Sequence, residues 1–341
     1  MSRIPVDRYS RQVLFRPFGA EGQARVRAAR VLVAGCGGLG AESASLLARA
    51  GVGFLRIVDR DVVELSNLQR QALFDEADVR DGLPKAVAAA RRLARVNAEV
   101  AVEPVVVDMG PANVRALLEG VDLVVDGFDS FEARFLLNDA CVEKGLPWVY
   151  GACIASTGLA ALLVPGRTAC LRCLVPELPE PGSSATCDTA GILGPAAHLA
   201  ASMQVGRALR FLATRETPSE AELVYADVWD ARFTRTSVPR DPACPCCASR
   251  RFDFLSVETP QTAALCGRDS VQVRPLVPSR PDFAALAERL RPLGEVLAND
   301  YLLRFRTEET ELTLFSDGRA IVKGTTDPAR ARSLVARTFG V

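Results

Sequence analysis

The sequence predicts an α/β chain: a doubly wound, mostly parallel sheet followed by a small C-terminal α+β domain. Three observations predict it. A glycine cluster, Gly35-Cys36-Gly37-Gly38-Leu39-Gly40, joins an apolar run to a helical pattern. Apolar runs and helical patterns then alternate as far as Tyr150. Beyond Cys247 the pattern changes to closely spaced strands with a hairpin signal. Alternating strands and helices imply parallel pairing, because each crossover needs a helix to return the chain to the same end of the sheet.

The elements follow in order. A polar, Arg-rich lead-in ends near Arg30. Val31 to Ala34 reads as a buried strand, Leu39 to Ala50 as a helix, and Phe54 to Asp59 as the next strand, which together make a Rossmann-like βαβ unit. Lys85 to Asn97 carries apolar residues at helical spacing. Val100 to Val107 is a strand, Val114 to Glu119 a helix, Leu123 to Asp126 a strand, Arg134 to Lys144 a helix and Trp148 to Tyr150 a strand. Leu178 to Gly194 is rich in Pro, Gly, Ser and Thr and reads as a long crossover loop. Pro195 to Ala213 returns to helix, with strands near Leu223 and Phe233. In the tail, strands near Val271, Tyr301–Phe305, Glu311–Phe315 and Arg319–Lys323 surround a helix at Phe283–Arg291, and Ser316-Asp317-Gly318 marks a hairpin. A helix from Pro328 to Thr338 closes the chain.

Cys170-Leu-Arg-Cys173 and Cys244-Pro-Cys246-Cys247 form two Cys-x-x-Cys pairs flanking a helical stretch. With one His in the chain, a Cys2His2 site cannot form. Cys170, Cys173, Cys244 and Cys247 would make a closed tetrahedral zinc site, structural because no coordination position stays open. Four unrelated buried cysteines, or a redox Cys-x-x-Cys, are the other readings of the same residues. Cys246 falls outside the spacing.

Composition excludes several classes. Formal net charge is zero, so bulk electrostatics favours neither nucleic acid nor membrane as partner. Residues 1–8 lack the apolar core of a signal peptide. The longest apolar stretch, around Gly151 to Pro165, is too short and Gly-rich to span a bilayer. Ten cysteines, several at metal spacing, fit a reducing interior, and the expectation is a cytoplasmic protein.

Gly35, Gly37, Gly38 and Gly40 stand where a nucleotide-binding loop needs them, between strand and helix with backbone N–H groups presented at a helix N-terminus, or else form a Gly-rich structural turn. Asp59 ends the following strand, where a carboxylate can accept from ribose hydroxyls. NAD is the default ligand of this fingerprint. The polar, cationic segment Asp61 to Gln71, which includes Ser66, Asn67 and Arg70, is placed instead to meet a triphosphate. Lys occurs only at 85, 144 and 323, and Lys85 opens a helix after Gly82-Leu83-Pro84. It reads as a compact phosphate contact, or else as a solvated surface lysine. Asp129 lies just past a strand's C-terminal end and reads as a magnesium ligand, or as a turn or cap residue.

These residues, with Arg8-Tyr9-Ser10-Arg11-Gln12, Leu65 to Gln71, Asp126 to Asp129 and Ala185-Thr186-Cys187, resemble the ThiF/MoeB/HesA family, bacterial relatives of ubiquitin-activating enzymes, over about residues 7 to 247. The resemblance implies a nucleotidyltransferase that adenylates the C-terminal Gly-Gly carboxylate of a ubiquitin-like sulfur-carrier protein, for thiamine or molybdopterin synthesis, using ATP and Mg2+ and releasing pyrophosphate. It implies that Asn67, Arg70 and Lys85 hold phosphates, that Asp129 holds magnesium, and that Gly38 and Asp59 contact backbone and ribose. Arg11 would reach the ATP site of a second protomer, hence a homodimer. Cys187 is the candidate thiol for a later thioester or acyl-persulfide step, or a loop cysteine without chemistry, and a cysteine desulfurase is a further expected partner. His198 reads as an ordinary helix residue. The implied organisation is an adenylyltransferase domain over 1–247, a linker over 248–270 and an α+β domain of unassigned role over 271–341. Competing expectations are an activating enzyme for another ubiquitin-like protein, serving tRNA thiolation or a modifier, an NAD-dependent oxidoreductase, and a non-catalytic zinc-stapled scaffold.

Overall fold

The computed structural model describes residues 7–180, 187–256, 262–265, 269–275 and 280–340. The chain divides into two units between residues 257 and 258.

The first unit is organised by one eight-stranded sheet, ordered β3-β2-β1-β4-β5-β6-β7-β8. The strands are β1 Arg30–Ala34, β2 Phe54–Val58, β3 Ala101–Val105, β4 Leu123–Asp126, β5 Trp148–Ile154, β6 Thr157–Leu163, β7 Ala221–Asp227 and β8 Arg232–Val238. Pairing is parallel from β3 to β5 and antiparallel from β5 to β8. β1 shows why the sheet is covered on both faces. Its residues are buried from Val31 to Ala34; Val31 and Val33 enter one core, Leu32 and Ala34 the other. Successive side chains on a strand point to opposite faces, so a continuous apolar run needs a layer on each side. Because β2 lies on one side of β1 and β4 on the other, the chain order reverses at β1. A crevice opens there, at the strands' C-terminal ends.

The sequence pattern gives a strand only over Trp148–Tyr150 in this region and does not reveal β6. The structure turns the Gly-rich apolar stretch into the β5–β6 hairpin, packed on the helix Gly194–Thr214. The glycines are there for this close approach. A Cβ on Gly151 would lie 2.1 Å from Gln204 Nε2, and one on Gly158 2.8 Å from Ala200 Cβ. The expected crossover loop contains a short helix, Cys187–Ala190, and Ile192 bridges to Ala155.

The second unit is a six-stranded antiparallel sheet, ordered β11-β12-β13-β14-β10-β9. Its strands are β9 Thr262–Leu265, β10 Ser270–Val273, β11 Glu295–Ala298, β12 Leu302–Arg306, β13 Glu311–Phe315 and β14 Ala320–Lys323. The β13–β14 turn has Gly318 at φ +86°, the left-handed region glycine enters at little steric cost. Val271, Leu303, Leu312 and Leu314 pack with Ala287 and Leu290 of the helix Phe283–Leu290 and with Val335 and Phe339 of the helix Pro328–Phe339. The segment expected as a linker contributes to both units. Phe254 meets Phe135 edge-on at 5.0 Å, whereas Thr262–Leu265 is strand β9. Among the described residues no helix is long and apolar enough to cross a membrane.

Candidate functional site

The glycines of the loop after β1 divide into two kinds. Gly35 has φ +89°, and a Cβ on it would lie 2.7 Å from the Gly127 carbonyl oxygen. A Cβ on Gly40 would lie 1.8 Å from the Gly35 oxygen, and one on Gly127 2.4 Å from the same atom. These three glycines pack backbone on backbone where β1, β4 and the helix Gly38–Ala50 meet. At Gly37 and Gly38 a Cβ would make only ordinary contacts, with Gln71 Nε2 at 3.9 Å, and with Ala197 Cβ and Arg70 Cγ at 3.4 and 3.6 Å. The second pair therefore borders the segment expected to meet phosphates.

Asp59 braces this loop from the end of β2. Its Oδ2 accepts the Cys36 N–H at 2.6 Å and its Oδ1 the Asp61 N–H at 2.7 Å. A carboxylate has about four acceptor positions, so capacity remains for a ribose hydroxyl. Burial pushes the Asp59 carboxyl above its ordinary value; Lys85 opposes this and Asp61 adds to it. Burial also pushes the Cys36 thiol up, with Asp59 acting in the same direction.

Lys85 is not the solvated lysine of the competing reading. It is 3% exposed at the first position of the helix Lys85–Val96. Its Nζ lies 3.4 Å from Asp61 Oδ2, and its N–H donates to the Asp61 carbonyl at 2.9 Å. A buried ammonium is costly unless paired, so Asp61 makes the position tenable. Asn67 is buried in the 3-10 turn Leu65–Asn67, where its Oδ1 accepts the Glu64 N–H at 3.2 Å; Arg70 donates to the Ser66 carbonyl at 2.9 Å. Gln71, 2% exposed, carries a buried Oε1 with no hydrogen-bond partner among the described residues.

At the end of β4, Asp126 is fully buried. Its carboxylate accepts the Phe128 N–H at 2.9 Å, Arg134 Nε at 3.0 Å and the Gly151 N–H at 3.3 Å. Arg134 also donates to the Phe128 and Gly151 carbonyls, at 2.5 and 3.0 Å. Burial nevertheless pushes the Asp126 carboxyl up, against the pull of Arg134 and the two N–H donors. This network holds the turn on which Asp129 stands exposed, ahead of the helix Phe131–Lys144. Arg60 connects the two halves of the crevice. Burial pulls it down, but Asp108, Asp61, Asp129 and Asp59 together hold it above its ordinary value. Sequence reasoning missed Asp61 as the partner of Lys85, and Arg60, Gln71 and Arg134. No spacing signals them, because each partner comes from another element.

Arg11 is exposed on the short helix Ser10–Val13, whose neighbours anchor it. Tyr9 lies against Gly51, where a Cβ would be 2.5 Å from its ring, and Gln12 donates to the Ala50 carbonyl at 3.0 Å. Leu14 and Phe15 beside it are exposed. Ala185 and Thr186 lie outside the described residues. Cys187 opens the helix Cys187–Ala190. His198 is half-buried on the helix Gly194–Thr214.

The two knuckles converge. The Sγ atoms of Cys170, Cys173, Cys244 and Cys247 all lie within 4.8 Å of one another, with Cys170–Cys244 at 3.6 Å and Cys173–Cys247 at 3.5 Å. Zn–S bonds of about 2.3 Å in a tetrahedron require S···S separations of roughly 3.8 Å, so the donor set fits such an ion. Cys246 is buried beside it and is not one of the four.

The family model described as "ThiF family" matches residues 9–246. The chain belongs to the ThiF family. It is 46% identical to the sulfur carrier protein ThiS adenylyltransferase of Bacillus subtilis, over 98% of this chain and 99% of that one. It is 42% identical to the SAMP-activating enzyme E1 of Haloferax volcanii over 73% of this chain and 92% of that one, and 36% identical to the molybdopterin-synthase adenylyltransferase of Escherichia coli over 70% and 95%. Among solved structures it resembles E. coli MccB with ATP at a TM-score of 0.63 and 24% identity, covering 71% of this chain and 75% of that one. At that identity the likeness speaks for the fold.

Proposed function

We propose that this ThiF-family chain is a nucleotidyltransferase that adenylates the C-terminal Gly-Gly carboxylate of a ubiquitin-like sulfur-carrier protein, consuming ATP and releasing pyrophosphate. The observation that carries this reading is the 46% identity to a ThiS adenylyltransferase along virtually the whole of both chains. That match extends through the second unit, whereas the archaeal and molybdopterin relatives match only 73% and 70% of the chain. This supports a ThiS-type carrier, and so the thiamine branch, over a molybdopterin one. The archaeal relative keeps a second reading open: activation of another ubiquitin-like protein by the same first half-reaction.

The site's chemistry fits. An ionised carboxylate attacking an α-phosphate brings two anions together and builds charge on the leaving pyrophosphate; fixed cations in a water-poor crevice offset both. Lys85, held by Asp61, and Arg70, beside Gly38, would supply these cations. The Gly37–Gly38 backbone would lie along the phosphates, Asn67 and Ser66 beside them, and Asp59 would take the ribose. Asp129 would hold magnesium, which supplies charge neutralisation at the phosphates. The nucleophile is ionised at neutral pH, so no His base is needed. Arg11 would complete the site of a second copy. Zinc in the four-thiolate set would be structural, as fits a reducing cytoplasm. Cys187 would act only after adenylation, with a cysteine desulfurase as a source of sulfur.

Carrier-dependent pyrophosphate exchange with a panel of Gly-Gly carriers tests this. Lys85→Ala and Asp129→Ala should each lose roughly 3–4 kcal/mol of transition-state stabilisation, about 10²–10³ in rate. Mixing Arg11→Ala with Lys85→Ala should restore part of the exchange, because one site of the mixed dimer is then intact. NADH binding with no exchange on any carrier would establish an oxidoreductase instead.

A further inference from the structure

The helix Phe131–Lys144 meets the metal-ligating set through one side chain. Asn138 is fully buried on it. Its Oδ1 accepts the N–H of Leu171, inside the first knuckle, at 2.8 Å. Since that N–H can only donate, the orientation of the amide follows. Nδ2 then faces Cys246 Sγ, inside the second knuckle, at 3.2 Å. Cys246 is itself fully buried and also hydrogen-bonds the Asp139 carboxyl, whose Oδ2 accepts the Phe254 N–H at 3.1 Å. A single amide thus spans both halves of a site whose ligands lie far apart in sequence.

We propose that Asn138 is a positioning residue of the four-thiolate centre, clamping both knuckles to one helix, and that Cys246 is present as its hydrogen-bond acceptor, not as a ligand. The inference rests on the reading that the four cysteines hold zinc. A chelate binds tightly when its ligands are held in place beforehand, and groups that orient ligands from outside typically change metal affinity by about 10–100-fold. The ligand thiols also meet across the two knuckles, Cys170 with Cys244 and Cys173 with Cys247, and Asn138 adds a bond to each knuckle from outside the ligand set.

The test uses the zinc-loaded full chain and the rate of zinc transfer to a chromogenic chelator. Asn138→Ala should release zinc on the order of 10–100 times faster than wild type. Cys246→Ala, which removes the acceptor for Asn138 and the S–H donor to Asp139, should also release it faster, and Cys246→Ser, which restores both, should return towards wild type. Leu93→Ala, in the opposite core, supplies the control: it should lower the melting temperature without speeding release. If Asn138→Ala does not fold, the two Cys246 variants decide. The proposal is overturned if Asn138→Ala, or Cys246→Ala in its place, releases zinc at the wild-type rate, or if Leu93→Ala at an equal loss of melting temperature releases it as fast. Wild-type protein that carries no zinc on direct metal analysis overturns the four-thiolate reading itself, an outcome separate from the kinetic ones.

Discussion

Asp126→Asn probes the junction of fold and site most directly. The carboxylate is fully buried and accepts three hydrogen bonds: Phe128 N–H, Arg134 Nε and Gly151 N–H. Asparagine keeps one carbonyl oxygen and turns an N–H2 group towards donors. Arg134 remains charged and buried, with the Phe128 and Gly151 carbonyls and the Phe131 and Tyr150 rings facing it but no carboxylate bonded to it. Breaking a buried pair from one side costs about 3–5 kcal/mol, because the remaining charge is uncompensated. Against a typical stability of roughly 5–15 kcal/mol this is a large fraction. The assay is denaturant unfolding followed by tryptophan fluorescence. Trp148 is fully buried between β4 and β6, while Trp229 is 78% exposed and should change little. A double variant with both residues apolar, Asp126→Leu with Arg134→Met, should be less destabilised than the two single losses added together. A cost for Asp126→Asn below about 1 kcal/mol, the net worth of one ordinary hydrogen bond, would refute the reasoning: the pair would then not be holding the turn that carries Asp129.

Three further outcomes are expected. Gly40→Ala should destabilise the chain by about 1–3 kcal/mol or more, since its Cβ would lie 1.8 Å from a backbone oxygen, whereas Gly38→Ala should fold normally; indistinguishable thermal melts for the two variants would dismiss the backbone packing described for the loop. Cys187→Ala should leave carrier-dependent pyrophosphate exchange near wild type while removing any covalent carrier adduct; a collapse of exchange in a folded, zinc-loaded variant would place this residue in adenylation itself. Burial pushes the Glu311 carboxyl up, but Lys323, Arg304 and Arg306 pull it further down, so it lies below its ordinary value; its stabilising contribution is present above the unfolded carboxyl's value and lost as pH falls through the folded one. Glu311→Gln should therefore lower amide protection of β12–β14 at neutral pH and flatten its further loss on acidification, and an unchanged acid profile would exclude the assignment.

What the sequence by itself determined was whatever is written in local chemistry. The strand–glycine–helix unit at 31–50, the order of alternating elements and the tail hairpin at Ser316-Asp317-Gly318 follow from periodicity and backbone freedom. The selection of Cys247 over Cys246 follows from the reach of a Cys-x-x-Cys knuckle, and the structure brings that set together. The ThiF resemblance rested on short motifs of this kind, and the full-length comparisons show that family. What only the tertiary structure decided involves partners from distant segments. The β5–β6 hairpin was hidden because Gly151 of β5 and Gly158 of β6 serve the approach of Gln204 and Ala200 from a distant helix. Lys85 reads alike in sequence whether solvated or buried; Asp61 makes it a buried, paired cation. Asp126 reads as a turn residue until Arg134 and Gly151 fold over it, and Asn138 is an unremarked helix position until two knuckles close on its amide. The division has one physical reason. Propensity and spacing act along the chain and leave a pattern there, whereas burial, pairing and hydrogen-bond closure depend on which surfaces meet, and only the folded chain specifies that.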